Sequence, residues 1–406
     1  MTNRILIIGA GHAAIRAALA IREAGHEGPV TIIADEGSEL PYERPPLSKW
    51  SDDAVTCALP IVPIEQLNAA NVERIAGKVI SLDTGNKQLV LSDGSQWAYS
   101  KLLLATGANA RQLPPATNGD TAIHYLRDIA DTVKLKQAAS VARQAVIIGG
   151  GFIGLELAAS LRAAGVAVHV VEAADRLLSR AVSMEVSRIV QQIHQRHEVQ
   201  FSFDVAIEEI MSQPCTVKLS NGTTITTDMI IAGIGSLAST ELAQQAGLAV
   251  SNGIVVDSHL RSSDPDIYAA GDCCAFPLYG PGGQATRLES WQAAGDQGEI
   301  AGHNMVAQTA RSYIKSPWFW SEQYDHVLQV AGLPSTQMQL VQRSYDETHH
   351  ITFGLNTDGT LGYACGIAPG LKIAKDIRLA TKLIEKAVPI SKDALCDPSI
   401  ALKSLR

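Results

Sequence analysis

The chain has 406 residues, 46% apolar and 18% charged, with 33 glycines and no low-complexity tract. That is enough apolar material for two or three cored domains, and it excludes a disordered or fibrous chain. With 33 basic against 41 acidic residues the net charge is −8, which argues against a nucleic-acid binder, and no run approaches the roughly eighteen apolar residues that a membrane span needs.

In chain order, Ile5-Leu6-Ile7-Ile8 predicts a short buried strand that runs directly into Gly9. It is too short for a signal h-region, so no export signal is read and a cytoplasmic protein is expected. An Ala-rich amphipathic helix follows and ends at Ala24-Gly25, where a C-cap glycine belongs. The strand from Pro29 closes on Asp35-Glu36. A proline-stiffened loop, Leu40-Pro41-Tyr42-Glu43-Arg44-Pro45-Pro46-Leu47-Ser48-Lys49, carries a basic end. Leu91-Ser92-Asp93-Gly94 reads as a hairpin turn, and Leu102–Gly107 as a buried strand ending in Ala105-Thr106-Gly107.

From Ala145 the same order returns: AVIIGGGFIGL, a helix ending at Ala164-Gly165, then a strand closing on Glu172. A second turn lies at Leu219-Ser220-Asn221-Gly222, and a second buried strand ends in Gly233-Ile234-Gly235. Each helix-ending glycine lies sixteen residues after Gly9 or Gly149, and each turn glycine thirteen before Gly107 or Gly235. Four corresponding features mark an internal duplication of a dinucleotide-binding module.

The chemistry of the glycines can be stated by position. Gly9 and Gly149 permit the tight turn, Gly11 and Gly151 let the backbone approach a pyrophosphate, and Ala14 and Gly154 let helix and strand pack closely. The helix N-termini, at His12-Ala13 and at Phe152-Ile153 beyond Gly150, supply amide donors. Asp35 and Glu172 would accept hydrogen bonds from the hydroxyls of an adenosine ribose. Two such sites without a metal centre point to a flavin fed by a nicotinamide. The loop after Asp35 makes the first module the better holder of a permanent cofactor. Glu172 would repel a 2′-phosphate, and Ala173-Ala174 offers no guanidinium to receive one, so NADH is expected over NADPH; Arg176 leaves that argument open. The six cysteines (Cys57, Cys215, Cys273, Cys274, Cys365, Cys396) contain no Cys-x-x-Cys pair, so neither a disulfide framework nor a zinc site is expected.

With the two glycine motifs, Arg44-Pro45-Pro46-Leu47-Ser48-Lys49, Leu104-Ala105-Thr106-Gly107, Ser263-Asp264-Pro265-Asp266-Ile267-Tyr268-Ala269-Ala270-Gly271-Asp272 and Trp318-Phe319-Trp320-Ser321-Glu322-Gln323-Tyr324-Asp325 in view, the chain resembles the flavoprotein NADH–ferredoxin reductases of Rieske dioxygenase and some cytochrome P450 systems. Gly11-His12-Ala13-Ala14 and Glu289-Ser290-Trp291-Gln292 are more loosely similar to reductases of anthranilate dioxygenase systems. The resemblance implies an α/β fold with two Rossmann-like domains of the glutathione-reductase type and a C-terminal α+β domain. An FAD domain would comprise residues 1–110 and 236–316, an NAD domain 111–235, and a domain from 317 to 406 would close the flavin site. It also implies that Asp272 bonds the ribityl chain, that Lys49 approaches the isoalloxazine, and that Val79, Arg127 and Trp291 touch the flavin. The partners implied are a [2Fe–2S] ferredoxin of Rieske type and, behind it, an oxygenase that hydroxylates aromatic rings.

The expected reaction is hydride transfer from nicotinamide to flavin, then two single-electron steps to the ferredoxin. Phe152 either shields the flavin until nicotinamide displaces it or merely packs an interface. Glu156 would face Lys49, as a pair that positions the carboxamide or as a buried ion pair joining two domains. Trp320 would stack on the nicotinamide, while Trp318, Phe319 and Trp320 equally predict a core strand with alternate members facing in. Asp272 is also compatible with a helix N-cap, Cys273-Cys274 reads as two small helix residues, and His349-His350 as exposed strand. Nine basic residues lie beyond residue 316, Arg343 among them; Lys372, Lys375, Arg378, Lys382 and Lys386 would line one helix face as a docking stripe, with Arg287 and Arg311 as competitors. The rival readings are an NADH oxidase, peroxidase or disulfide reductase, which needs a thiolate near the first long loop where only Cys57 is at hand, and a flavoprotein resembling apoptosis-inducing factor that works by interaction.

Overall fold

The computed structural model describes residues 3–36, 41–50, 59–114, 123–280 and 282–405. They pack as two units: Met1–Arg44, Ala58–Asn109 and Ser236–Lys315 in the first, and Pro45–Cys57, Ala110–Gly235 and Ser316–Arg406 in the second. Cys57 lies outside the described residues.

The first unit is built on a five-stranded parallel sheet, in the order Ile267–Ala269, Lys101–Leu104, Ile5–Ile8, Val30–Ala34, Val72–Ala76. Its central strands are apolar at nearly every position, as parallel strands covered on both faces must be. Helices His12–Glu23 and Trp291–Val306 pack on each other tightly enough that a Cβ at Gly298 would come within 2.2 Å of the Ala13 carbonyl oxygen. Beside the sheet, Val79–Asp83, Gln88–Leu91 and Gln96–Ala98 form an antiparallel meander.

The second unit repeats this plan. Its parallel sheet runs Gln200–Ser202, Ala167–Val171, Gln144–Ile148, Met229–Ala232, the same spatial order as the four corresponding strands of the first sheet. Ile207–Ser212, Cys215–Leu219 and Thr224–Thr226 form the second meander. The duplication read from glycine spacing is therefore a duplication of sheet order and connection.

Residues from 318 onward form an antiparallel sheet in the order Trp318–Gln323, His326–Gly332, Leu361–Pro369, His350–Leu355, Gln339–Ser344. One face buries Ala331, Phe353 and Ala364 against Ile377, Ala380 and Ile384 of helix Ala374–Lys386. The other presents Leu328, Val330 and Ile367 to Leu155 and to Ile189 and Ile193 of helix Met184–Arg196. The period-two alternation thus feeds two cores.

Three local expectations are corrected. Cys274 opens a strand, Cys274–Pro277, and Cys273 lies in the turn before it. The run Cys-Cys-Ala-Phe is uniformly apolar, which suits a buried strand paired on both sides better than an amphipathic helix; Asp272 accordingly caps no helix. His350 is buried, its ring nitrogens bonded to the hydroxyls of Ser344 (2.8 Å) and Thr352 (3.2 Å). Arg343, one of the nine basic residues counted beyond 316, is only 1% exposed; its guanidinium donates to the Leu395, Pro398 and Ile400 carbonyls and the Tyr345 hydroxyl. Among the described residues no helix is long and apolar enough to cross a membrane.

Candidate functional site

At the head of each parallel sheet, strand, glycine turn and helix converge in the same way. Gly9 and Gly149 both have φ +106°, and their amides donate 2.8 Å bonds to Ile33 O and Val171 O. A Cβ on Gly9 would lie 2.2 Å from Ala105 O, and one on Gly149 2.5 Å from Gly233 O. Both glycines are thus demanded by the fold. Gly11 and Gly151 differ: their φ values of −78° and −82° suit any residue. Among the described residues a Cβ on Gly11 meets no atom beyond its chain neighbours within 4 Å, and one on Gly151 only Gly233 O at 3.9 Å. Packing among the described residues does not call for glycine there. What its absence of side chain keeps clear is the space before the first amides of helices His12–Glu23 and Phe152–Ala163, where a pyrophosphate oxygen would be received. The residues fit a dinucleotide in both units.

Around the first cradle, Asp35 is exposed at the end of its strand. Glu36 accepts from the Tyr42 hydroxyl at 3.0 Å and from the Arg44 guanidinium, so its carboxylate fixes the loop. His12 Nε2 lies 3.4 Å from Glu43 Oε1, its ring 4.9 Å from that of Trp291, whose Nε1 donates to Glu43 at 2.6 Å. Ala13 and Ala14 are buried. Ser290 caps the Trp291 helix through Ala293 N, and Glu289 pairs with Arg287 at 2.5 Å. Thr106 donates to Ser239 O, and Gly107 O receives the Ser239 amide. The Gly271 amide bonds Gln297, presenting Asp272 just beyond strand Ile267–Ala269. Val79 is half-buried in the first meander.

In the second unit, Glu172 accepts from Gly150 N at 2.6 Å and from Ala174 N at 2.8 Å. The acid that was read as a ribose acceptor therefore also braces the glycine turn. Arg176 spends its guanidinium on Val182 O and Ser179 O, 3.0 and 2.8 Å away. Gly154 sits against Gly149 O and Gly233, Ile153 is exposed, and Ile234 and Gly235 continue past strand Met229–Ala232. Arg127 lies just before helix Ile129–Ala139, its amide on Asp131.

The second unit also gathers Lys49, Glu156, Phe152 and Trp320. Pro45–Ser48 is a short 3-10 turn held to helix Phe152–Ala163 by Ser160 Oγ, which donates to Ser48 O at 2.7 Å. This places Lys49 Nζ 4.0 Å from Glu156, 3.7 Å from Glu322 and 5.8 Å from the centre of the Trp320 ring. Glu156 is buried; its carboxylate accepts from the Ser48 and Ser321 hydroxyls. Burial pushes the Glu156 carboxyl above the usual range, while Lys49 and the two hydroxyls pull it back in part. Trp318 and Trp320 stack on one face of their strand at 5.3 Å, and Phe319 meets Phe152 edge-on at 5.0 Å on the other. The alternation expected of that strand is thus observed, and Phe152 packs in the core it helps close.

Among the described residues no cluster of His, Cys, Asp or Glu could hold a metal. Burial raises the thiols of Cys273, Cys274 and Cys365, none of which is poised as a thiolate.

The pyridine nucleotide-disulphide oxidoreductase family matches residues 3–298, and a reductase C-terminal family matches 318–406. The chain belongs to the pyridine nucleotide-disulphide oxidoreductases. It is 35% identical to rhodocoxin reductase of Rhodococcus erythropolis over 98% of this chain and 93% of that protein. It is also 35% identical to the ferredoxin–NAD(+) reductase component of the anthranilate 1,2-dioxygenase system of Burkholderia cepacia, over 98% of each. Among solved structures, the ferredoxin reductase of the CYP199A2 system from Rhodopseudomonas palustris superposes with a TM-score of 0.90 at 34% identity, over 99% of each chain.

Proposed function

We propose that this protein is a ferredoxin–NAD(+) reductase: it carries electrons from NADH through FAD to a [2Fe–2S] ferredoxin of Rieske type, for an oxygenase that hydroxylates aromatic rings. The carrying observation is the pair of equivalent cradles, each with a turn glycine the fold requires and a second glycine it does not. Full-length likeness to reductases named for ferredoxin and NAD(+) supports the acceptor and the donor.

Residues 1–110 with 236–316 form the FAD domain, 111–235 the NAD domain, and 317–406 the C-terminal domain. FAD is held through Gly11 and the amides of His12 and Ala13, with Asp35 toward the ribose and Asp272 toward the ribityl chain; Arg44, Val79, Thr106, Arg127 and Trp291 complete its contacts. Gly151, Phe152 and Glu172 receive NAD(H). The two cofactors supply hydride transfer and its division into single electrons. Lys49 and Glu156 orient the carboxamide and hold a fixed charge pair at the reacting rings, with Trp320 packing beside them. NADH is preferred, because the Glu172 carboxylate repels a 2′-phosphate and Arg176 is already committed to two main-chain carbonyls. The exposed Lys375, Arg378, Lys382 and Lys386 along helix Ala374–Lys386, with Lys372 in the turn before it, offer the ferredoxin a positive face. A cytoplasmic location is supported by a sequence without a Cys-x-x-Cys pair.

The test is acid extraction of the purified protein, which should release FAD, followed by steady-state reduction of a [2Fe–2S] ferredoxin with NADH or NADPH. Electrons reaching only oxygen or a disulfide would refute the ferredoxin assignment.

A further inference from the structure

Helix Met184–Arg196 buries a histidine that none of the contacts above uses. His194 is 0% exposed, and its Nε2 lies 2.8 Å from Gln323 Oε1. Gln323 Nε2 donates to Ser321 Oγ at 2.8 Å, and Ser321 Oγ donates to Glu156 Oε1 at 2.5 Å. Ser321 and Gln323, alternate residues of strand Trp318–Gln323, share a face and are both fully buried.

The direction of this chain follows from its end. A carboxylate only accepts, so the single Ser321 proton goes to Glu156; Ser321 must then accept from the Gln323 amide nitrogen, which turns the amide oxygen toward His194. His194 therefore carries its proton on Nε2. Among the described residues its Nδ1 has no hydrogen-bond partner, and the ring lies against Tyr324 and Phe201. Burial holds the imidazole down to about 4, so it serves as a neutral donor and not as a proton source. The ionisable groups facing the chain are few. Lys49 and Glu322 stand at the Glu156 end. At the other end are His197, stacked on Tyr324 at 3.6 Å, and Arg162, which acts on Tyr324.

We propose that His194 is a positioning residue: acting through Gln323 and Ser321, it holds Glu156 ionised and aimed at Lys49. Each donor in the line is oriented by the next, so removing the first frees the Gln323 amide to turn and the Ser321 hydroxyl to leave the carboxylate. The consequence for hydride delivery rests on the proposed role of Lys49 and Glu156; the effect on Glu156 itself does not.

The experiment is an infrared pH titration of the holoenzyme, following the C=O stretch of the protonated Glu156 carboxyl, assigned by its loss in Glu156→Gln. His194→Phe, or the more compliant His194→Met, should move the Glu156 midpoint up by about one pH unit, because a donor to the charged form is lost. Gln323→Leu should do the same, and His194→Gln, which keeps a donor at the Nε2 position, should restore the wild-type midpoint. The acid limb of NADH-driven flavin bleaching should move with it. An unchanged midpoint in His194→Phe or His194→Met overturns the proposal, as does a shift that His194→Gln fails to reverse. A shifted midpoint with an unmoved bleaching profile supports the chain and removes Glu156 from hydride delivery.

Discussion

Alanine at Gly9 and alanine at Gly11 should separate a glycine that the fold needs from one that a ligand needs. At Gly9 the methyl would sit at φ +106°, 2.2 Å from the Ala105 carbonyl oxygen. Strain of about 1–3 kcal/mol for a side chain in that region adds to about 1–3 kcal/mol for an overpacked contact with rigid backbone. A loss of about 3 kcal/mol, or roughly 6 °C in the apoprotein's thermal midpoint, is expected. At Gly11 the methyl meets nothing among the described residues within 4 Å beyond its chain neighbours, and φ is −78°. The apoprotein should therefore be unchanged or stabilised by about 0.5 kcal/mol, through the lost freedom of the unfolded chain. The methyl would, however, occupy the space before the helix amides and displace a pyrophosphate from about two charge-assisted hydrogen bonds. At about 1.5 kcal/mol each, that is roughly a hundredfold in FAD affinity. The assay is thermal unfolding of both apoproteins, with fluorescence titration of FAD. A Gly11→Ala protein that binds FAD like wild type, or whose apoprotein melts as early as Gly9→Ala, would refute the assignment of this cradle.

Glu156→Gln should slow flavin bleaching by NADH roughly tenfold or more. It should also flatten the acid limb: the ionised form is the working one and the folded pKa is raised, so wild-type activity is lost as pH falls through a range above that of an ordinary carboxylate. His194 has a folded pKa depressed from 6.5 to about 4, so its contribution is present above 6.5 and lost as pH falls toward 4; roughly 3 kcal/mol is at stake. Chemical denaturation across that window should show a shallower loss in His194→Gln. Arg343→Ala strands the Leu395, Pro398 and Ile400 carbonyls that its guanidinium now satisfies; about 3 kcal/mol of destabilisation should appear with early proteolysis after Ser391. Reversing charge at Lys375 and Arg378, both exposed, should raise the KM for ferredoxin severalfold at low salt while leaving NADH-driven bleaching unchanged.

Much of the fold was legible because the duplication repeats its punctuation. Gly9 and Gly149, Gly25 and Gly165, Gly94 and Gly222 mark corresponding turns, and the parallel strands between them read as unbroken apolar runs. The pairing of Lys49 with Glu156 followed from resemblance, and the structure brings the two within 4.0 Å. What stayed hidden depends on neighbours distant in sequence. Nothing local distinguishes Arg343 from a surface cation until the last turns of the chain wrap its guanidinium. Cys273-Cys274 lacked a period because a two-residue apolar step fits strand and helix alike. His194 drew no reading from the sequence, because only strand Trp318–Gln323, more than a hundred residues on, supplies its partner. The Gly298 contact with Ala13 went unseen for the same reason, although its spacing from Gly302 was a usable sign of a close helix pair.

The most direct measurement is anaerobic double-mixing stopped-flow absorbance: NADH first, then a [2Fe–2S] ferredoxin. The account predicts rapid flavin bleaching, recovery of the flavin spectrum as ferredoxin is reduced, and much slower bleaching with NADPH. Flavin that bleaches but returns its electrons only to oxygen or to a disulfide would contradict it.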